Sequence, residues 1–272
     1  MEQWKAYDLI LRRRSVRTYD GRPLCMDHKK RMEAFIREDN HCPFHAGFML
    51  VLEDTTEQPV STYGVIKGAE TYLAGKTENS EKGLLAYGYV FEKILLYALG
   101  LGISSCWLAG TYKKGRFAKV LSPGDGEVIP AVSPMGYEKE EKRMVDTLFK
   151  SLAGSGGRKS WNEIFFQDQF TLPLPQEKVP EYKDPLEAVR LAPSASNKQP
   201  WSVVYGREAF HFYKNEADSY GKSLGMDIQM VDMGIATCHF DLVMREQGHC
   251  GNWQFLALPK EGHHRYVVSY VL

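Results

Sequence analysis

The chain carries no Walker A loop, no G-x-G-x-x-G following a strand pattern and no C-x-x-C pair, and it has no excess of charge of either sign. Each absence removes a class of function. Without the two glycine motifs, a P-loop or Rossmann nucleotide site has no support. The five cysteines, Cys25, Cys42, Cys106, Cys238 and Cys250, are odd in number and widely spaced, which argues against a disulfide framework or a structural zinc. His41, Cys42 and His45 lack a fourth ligand at suitable spacing, so loop packing is the better reading. Lys plus Arg and Asp plus Glu number 34 each, so no global field draws nucleic acid or anionic membrane, and any basic site is local. There is also no clean membrane-length apolar run. The stretch Leu84 to Gly110 is largely apolar, but Glu92 and Lys93 sit near its middle and Gly100 and Gly102 break it, as in a buried core helix. Residues Met1 to Lys5 enter an amphipathic pattern with no secretory signal, so the cytoplasm is the expected location.

What is present reads as two halves of a 272-residue chain. A glycine-rich stretch, Ala153 to Lys159, and the run Leu172-Pro173-Leu174-Pro175 mark the join, with units expected over 1–152 and 160–272. The halves resemble each other. Gly88 and Gly234, Gly102 and Gly248, and Trp107 and Trp253 fall in register, which indicates an internal duplication. Pattern and propensity predict helices near 3–13, 27–38, 82–101, 184–191 and 227–247, and strands near 47–53, 129–135, 202–206, 209–214, 252–258 and 265–272. Helices and hairpin-like strands mix without strict alternation. That favours an α+β sandwich over a parallel doubly wound sheet.

Two polar motifs stand out. In Ala192-Pro193-Ser194-Ala195-Ser196-Asn197-Lys198-Gln199-Pro200-Trp201, prolines stiffen a loop whose hydroxyl and amide groups suit the edge of a flat heteroaromatic. The same composition also suits an ordinary helix-to-strand connection in which Asn and Ser satisfy their own backbone. In Arg12-Arg13-Arg14-Ser15-Val16-Arg17-Thr18-Tyr19, clustered guanidinium groups with hydroxyls between them suit a phosphate. A basic run at a helix C-terminus is equally a solvated face favoured by the helix dipole. Together the motifs divide the labour that flavin mononucleotide (FMN) requires, one for the phosphate and one for the ring.

Arg13 to Tyr19, Ala192 to Trp201 and Gly100 to Gly110, with a strand ending Met135-Gly136-Tyr137 and the following Lys142-Arg143, resemble segments of the FMN-dependent nitroreductase family, in its single-chain, pseudo-dimeric branch. The resemblance implies a nitroreductase-like sandwich of antiparallel-rich sheets flanked by helices. It implies that Arg13, Arg14, Ser15 and Arg17 hold the FMN phosphate and ribityl chain, with Lys142 or Arg143 adding to that site. Trp107, Leu108, Ala109 and Gly110 would run beside the flavin, and Pro193, Ser194, Ala195, Asn197 and Gln199 would cover ring and ribityl from the opposite side. NAD(P)H is the implied electron donor and a nitroaromatic, quinone or similar small molecule the acceptor. No catalytic side chain is expected, since the flavin carries the chemistry.

The motifs are distributed unusually. The first half has the arginine motif and the Trp107 segment, but His41 to Gly47 stands where the Asn loop would be. The second half has the Asn loop but no arginine-serine motif, and Gly251-Asn252-Trp253-Gln254 replaces the Trp107 segment. The expectation is a fused pseudo-dimer with one complete site, monomeric or further dimerised, in which the second site has decayed. Two other readings remain open from the sequence. One is a flavin-storage protein without turnover. The other is a serine hydrolase using Ser223 in Gly221-Lys222-Ser223-Leu224-Gly225, with Asp232 or Asp241 and His249 or His263 as partners. Tyr63, Tyr72 and Trp161 could border an entrance, although packing is the better reading of each.

Overall fold

The computed structural model describes residues 5–38, 41–139, 157–216 and 224–272. The first half contains helices α1 (Ala6–Arg12) and α2 (Met26–Glu38), strands β1 (Phe48–Asp54) and β2 (Thr71–Glu78), and the long helix α3 (Glu81–Gly100). Strand β3 (Ser104–Ser105), helix α4 (Gly115–Leu121) and strands β4 (Glu127–Val128) and β5 (Val132–Gly136) complete it. The second half opens with helix α5 (Trp161–Ile164), strand β6 (Phe165–Gln167) and helix α6 (Lys183–Leu191). Strands β7 (Trp201–Gly206) and β8 (Ala209–Asn215), helix α7 (Ile228–Glu246), and strands β9 (Asn252–Gln254) and β10 (His264–Val271) follow.

The duplication is visible in the topology. The first sheet runs β1-β2-β5-β3, with β4 also on β2, and the second runs β6-β7-β8-β10-β9. Setting aside β4 and β6, each sheet orders its strands first, second, fourth, third, and each places its long helix between the second and third. The ladders are antiparallel except β6 on β7, where Phe165, Phe166 and Gln167 pair in parallel with Val203, Val204 and Tyr205. One hydrophobic core spans both halves, from Leu73, Phe91 and Ile94 to Trp201, Phe212 and Phe240.

The long helices match their expected spans closely because their apolar residues surround the whole circumference. Ser80 caps α3, its hydroxyl accepting from the Gly83 amide at 3.1 Å, which satisfies a free donor at the helix start. Among the described residues α3 is long and apolar enough to cross a membrane, yet 83% of that window is buried inside the protein. Other expectations need correction. Helix 3–13 is described only over Ala6–Arg12, and the strand expected over 252–258 ends at Gln254. Strand β2 was not expected. It lies between β1 and β5 with nearly every residue buried, so it shows no alternation, and Ala74, Gly75 and Lys76 are poor strand formers. The short elements β3, β4, α4, α5 and β6 lack enough residues to set a period.

Helices α3 and α7 make the tightest contact in the fold. A Cβ added at Gly88 would stand 2.1 Å from the Val231 carbonyl oxygen, and one at Gly234 would stand 2.1 Å from the Leu85 carbonyl oxygen and 2.9 Å from the Gly88 Cα. Glycine in a helix interior costs about 1 kcal/mol relative to alanine, so these two are kept against local propensity to let the backbones meet. The two glycines in register in the sequence are therefore the two that touch. Gly88→Ala or Gly234→Ala should lower the unfolding free energy by about 1–3 kcal/mol despite the better helix former. Urea denaturation measures this, and a neutral or stabilised variant would contradict the packing.

Candidate functional site

The arginine motif is not the last turn of a helix. Helix α1 ends at Arg12, and Arg13 already has an extended ψ of 130°. The chain then runs along the first sheet: Ser15 bridges Ser105 in parallel, the Val16 amide donates to the Ser105 carbonyl at 2.9 Å, and Thr18 bridges Lys67. Tyr19, buried, donates its hydroxyl to the Val16 carbonyl at 2.8 Å. Val16, Thr18 and Tyr19 are buried while Arg13, Ser15 and Arg17 are half-buried, so alternation along an extended segment sends the polar side chains to one side. The solvated-helix-face reading holds for Arg12 only. Arg14 is mostly exposed and forms a two-pronged ion pair with Glu138.

The Ala192–Trp201 loop is backbone-strained. Ser196, Asn197 and Gln199 take φ values of 48°, 54° and 47°, left-handed conformations that side chains other than glycine seldom adopt. Internal bonds hold them. The Ser194 hydroxyl accepts from the Gln199 amide at 2.8 Å, and the Asn197 side chain accepts from Arg158 Nη1 at 2.7 Å and donates to the Gly157 carbonyl at 3.0 Å. Gln199 requires a correction. It is buried behind the loop rather than facing a ligand, accepting from the Lys159 amide at 2.9 Å and donating to the Asn197 carbonyl at 3.1 Å. Its amide ties the loop to the segment entering the second half.

The Trp107 segment is held by a buried carboxylate. Trp107 Nε1 donates to Glu92 at 2.6 Å, and Glu92, fully buried on α3, also meets His239 Nε2 of α7 at 3.0 Å and Arg13 Nε at 3.8 Å. His239 Nδ1 donates to the Ala188 carbonyl at 2.9 Å. The second half has a counterpart. Asp241 of α7 accepts from Trp253 Nε1 at 3.0 Å and from the Tyr89 hydroxyl of α3, and pairs with Arg245. The surroundings of the two tryptophans then differ. Trp107 borders a cavity, whereas Trp253 stands edge-on to Phe44 at 5.6 Å and to Tyr270 at 5.1 Å. Phe44, only 1% exposed, belongs to the loop that replaces the Asn motif in the first half.

The cavity beside Trp107 measures about 770 Å³. It gathers Arg13, Arg14, Ser15 and Arg17 from one segment, Trp107, Leu108, Ala109 and Gly110 from another, and Pro193, Ser194, Ala195 and Asn197 from the second half. Three stretches read separately from the sequence therefore share one space. Lys142 and Arg143 lie outside the described residues. Two groups escaped sequence reasoning. Arg158 lines the cavity, and its pKa is pushed down to about 10 by burial and then by the neighbouring Arg13 and Arg190. It still carries its charge at neutral pH. The first turns of α7 add Ile228, Val231, Asp232 and Ile235, whose 3, 4 and 7 spacing is one helix face.

Other candidates fall away from this space. Tyr72 is buried in the sheet, Trp161 donates to the Leu174 carbonyl at 2.7 Å, and Tyr63 is exposed elsewhere. Ser223 lies outside the described residues, Asp241 is engaged as above, and His249 meets the Glu181 carbonyl at 3.1 Å.

An α+β sandwich with a duplicated topology and an arginine-lined cavity between its halves is a nitroreductase-like fold. The family described as "Putative TM nitroreductase" matches residues 5–244, and the chain belongs to it. The crystal structure of a "putative nitroreductase" from Thermotoga maritima covers 100% of this chain and 95% of its own, with a TM-score of 0.65 at 20% identity. A nitroreductase with bound FMN from Bacteroides fragilis matches 52% of this chain and 91% of its own, with a TM-score of 0.39 at 19% identity. A nitroreductase family protein from Clostridium novyi matches 52% and 90%, with a TM-score of 0.39 at 18% identity. No curated protein matches the sequence.

Glu92 joins the arginine motif, the Trp107 segment and α7, and its removal leaves their polar groups buried and unpaired. Glu92→Ala should therefore lower the unfolding free energy by about 3–5 kcal/mol. Denaturant titration checks this, and a loss below about 1 kcal/mol would show that the bracket is dispensable.

Proposed function

We propose that the protein is an FMN-dependent oxidoreductase that binds one flavin between its two halves and passes reducing equivalents from NAD(P)H to a nitroaromatic, quinone or similar small acceptor. The observation that carries this reading is the convergence of the arginine motif and the Pro-Ser-Asn loop, from opposite ends of the chain, on one cavity of about 770 Å³. That volume lies within the range of cofactor pockets.

The donor set fits the cofactor. Arg13, Arg17 and Arg158 bring positive charge into a half-buried space, and Arg13 and Arg158 repel each other there. A phosphate placed among them removes that repulsion and accepts charge-assisted bonds, with the Ser15 hydroxyl as a neutral donor. The Trp107–Gly110 segment is fixed by Glu92 and by the paired backbone bonds of Leu108 and Val132, each 2.9 Å, so its groups need little ordering when a ring lies beside them. Ile228, Val231 and Ile235 supply an apolar surface. Bound FMN would supply hydride acceptance and donation, and the protein's part is to hold the ring, leave space for a stacked substrate and offset the charge of the reduced form. The aromatic packing of Phe44 against Trp253 supports a single site per chain. A chain that supplies both sides of its own site needs no second subunit, and cytoplasmic placement agrees with this chemistry.

Two measurements test the reading. Arg17→Ala should weaken FMN binding about tenfold or more while leaving riboflavin, which lacks the phosphate, nearly unaffected. Equal losses for both ligands would move the phosphate away from Arg17. Stopped-flow mixing of the FMN-loaded protein with NADH and with NADPH should bleach the flavin with at least one of them. Flavin that stays oxidised with both overturns the reductase reading in favour of flavin storage.

A further inference from the structure

On the face of α7 that borders the cavity, one residue is out of character with its neighbours. Ile228, Val231 and Ile235 are apolar, and Asp232 stands among them, 2% exposed. Its Oδ1 accepts from the Ala195 amide at 2.9 Å, which fixes the start of the strained loop turn. Its Oδ2 is buried and has no hydrogen-bond partner. No cation among the described residues forms an ion pair with it. Asp227, the nearest acid along the chain, is engaged by Lys214 and Arg265. A buried carboxylate with one oxygen unserved costs several kcal/mol, whereas the same group as a carboxylic acid keeps Oδ1 as acceptor and turns Oδ2 into a donor. Burial, opposed by the Ala195 amide and reinforced by Asp227, pushes its pKa well above the usual carboxylate range. The wall of an arginine-lined cavity thus contains one acid, with one carboxyl oxygen short of a partner.

We propose that Asp232 is a ligand-reading residue whose Oδ2–H donates a hydrogen bond to an acceptor atom, a carbonyl oxygen or an unprotonated ring nitrogen, of the flat heterocycle held in this cavity. The identity of that heterocycle as flavin rests on the function proposed above; the donor character of Asp232 does not. Asp232 joins two tasks, since the carboxyl that receives the ligand also sets the loop through Ala195. Arginine contacts select for phosphate, and Asp232 selects for the ring.

The test uses the full-length protein and two variants, Asp232→Asn and Asp232→Leu. Asparagine can accept from the Ala195 amide and donate from its NH₂ group, so Asp232→Asn should bind FMN within about threefold of the wild type. Asp232→Leu should bind FMN and riboflavin about tenfold or more weakly, by similar factors, because the ring contact is lost. Asp232→Leu binding like the wild type, or Asp232→Asn losing as much as Asp232→Leu, overturns the proposal. Infrared spectroscopy of the flavin-free protein at neutral pH gives an independent readout that does not need the leucine variant to fold. The carbonyl stretch of a protonated carboxylic acid should be present in the wild type and missing in Asp232→Asn. Identical spectra in that region overturn the donor assignment. A wild type that shows this band but binds no FMN would instead refute the flavin reading and leave the donor standing.

Discussion

The contact between Gly88 and Gly234 governs the rest of the molecule. With no Cβ on either side, α3 and α7 approach until backbone meets backbone, and every cross-helix interaction is set by that spacing. On one flank Glu92 of α3 reaches His239 of α7, and on the other Asp241 of α7 receives the Tyr89 hydroxyl of α3. Each acid also holds a tryptophan of its own half. Buried acids are costly unless their partners are close and well aimed, so wider separation of the helices would convert both brackets from supports into liabilities. The same spacing presents the Ile228–Ile235 face of α7 to the cavity.

From this constraint the duplication becomes asymmetric in a definite way. Both halves keep the strand order, the core helix, its glycine and a tryptophan anchored by a buried acid. They differ in what lies over the tryptophan. Around Trp107 the arginine segment and the strained 192–201 loop leave a cavity. Around Trp253 the space is taken by Phe44, Phe212, Phe240 and Tyr270. The loop that stands in the first half where the Asn loop would be carries a buried aromatic, Phe44, and packs it against Trp253.

Much of this was legible in the sequence, and the parts that were not share a cause. The core helices were readable from their apolar spacing, and the arginine motif and the proline-serine-asparagine loop, which residue type alone singles out, line one cavity. An amide within a polar loop looks the same in sequence whether it faces a ligand or braces the backbone, and the Gln199 side chain braces it. Arg158 was hidden in a glycine-rich join, where composition announces a linker and says nothing of burial. The sequence offers Asp232 only as a partner for Ser223, and the unpaired oxygen that sets it apart is a matter of packing that no spacing rule reveals. Strand β2 was invisible because a strand covered on both faces has no alternation.

The central claim is that two fused halves build one complete flavin site and have closed the other. The direct measurement is the ratio of flavin to protein after saturation with FMN and removal of the free ligand. The account predicts a ratio close to one per chain, unchanged when the ligand excess is raised. A ratio approaching two would contradict the closure around Trp253, and a protein that retains no flavin would contradict the site itself.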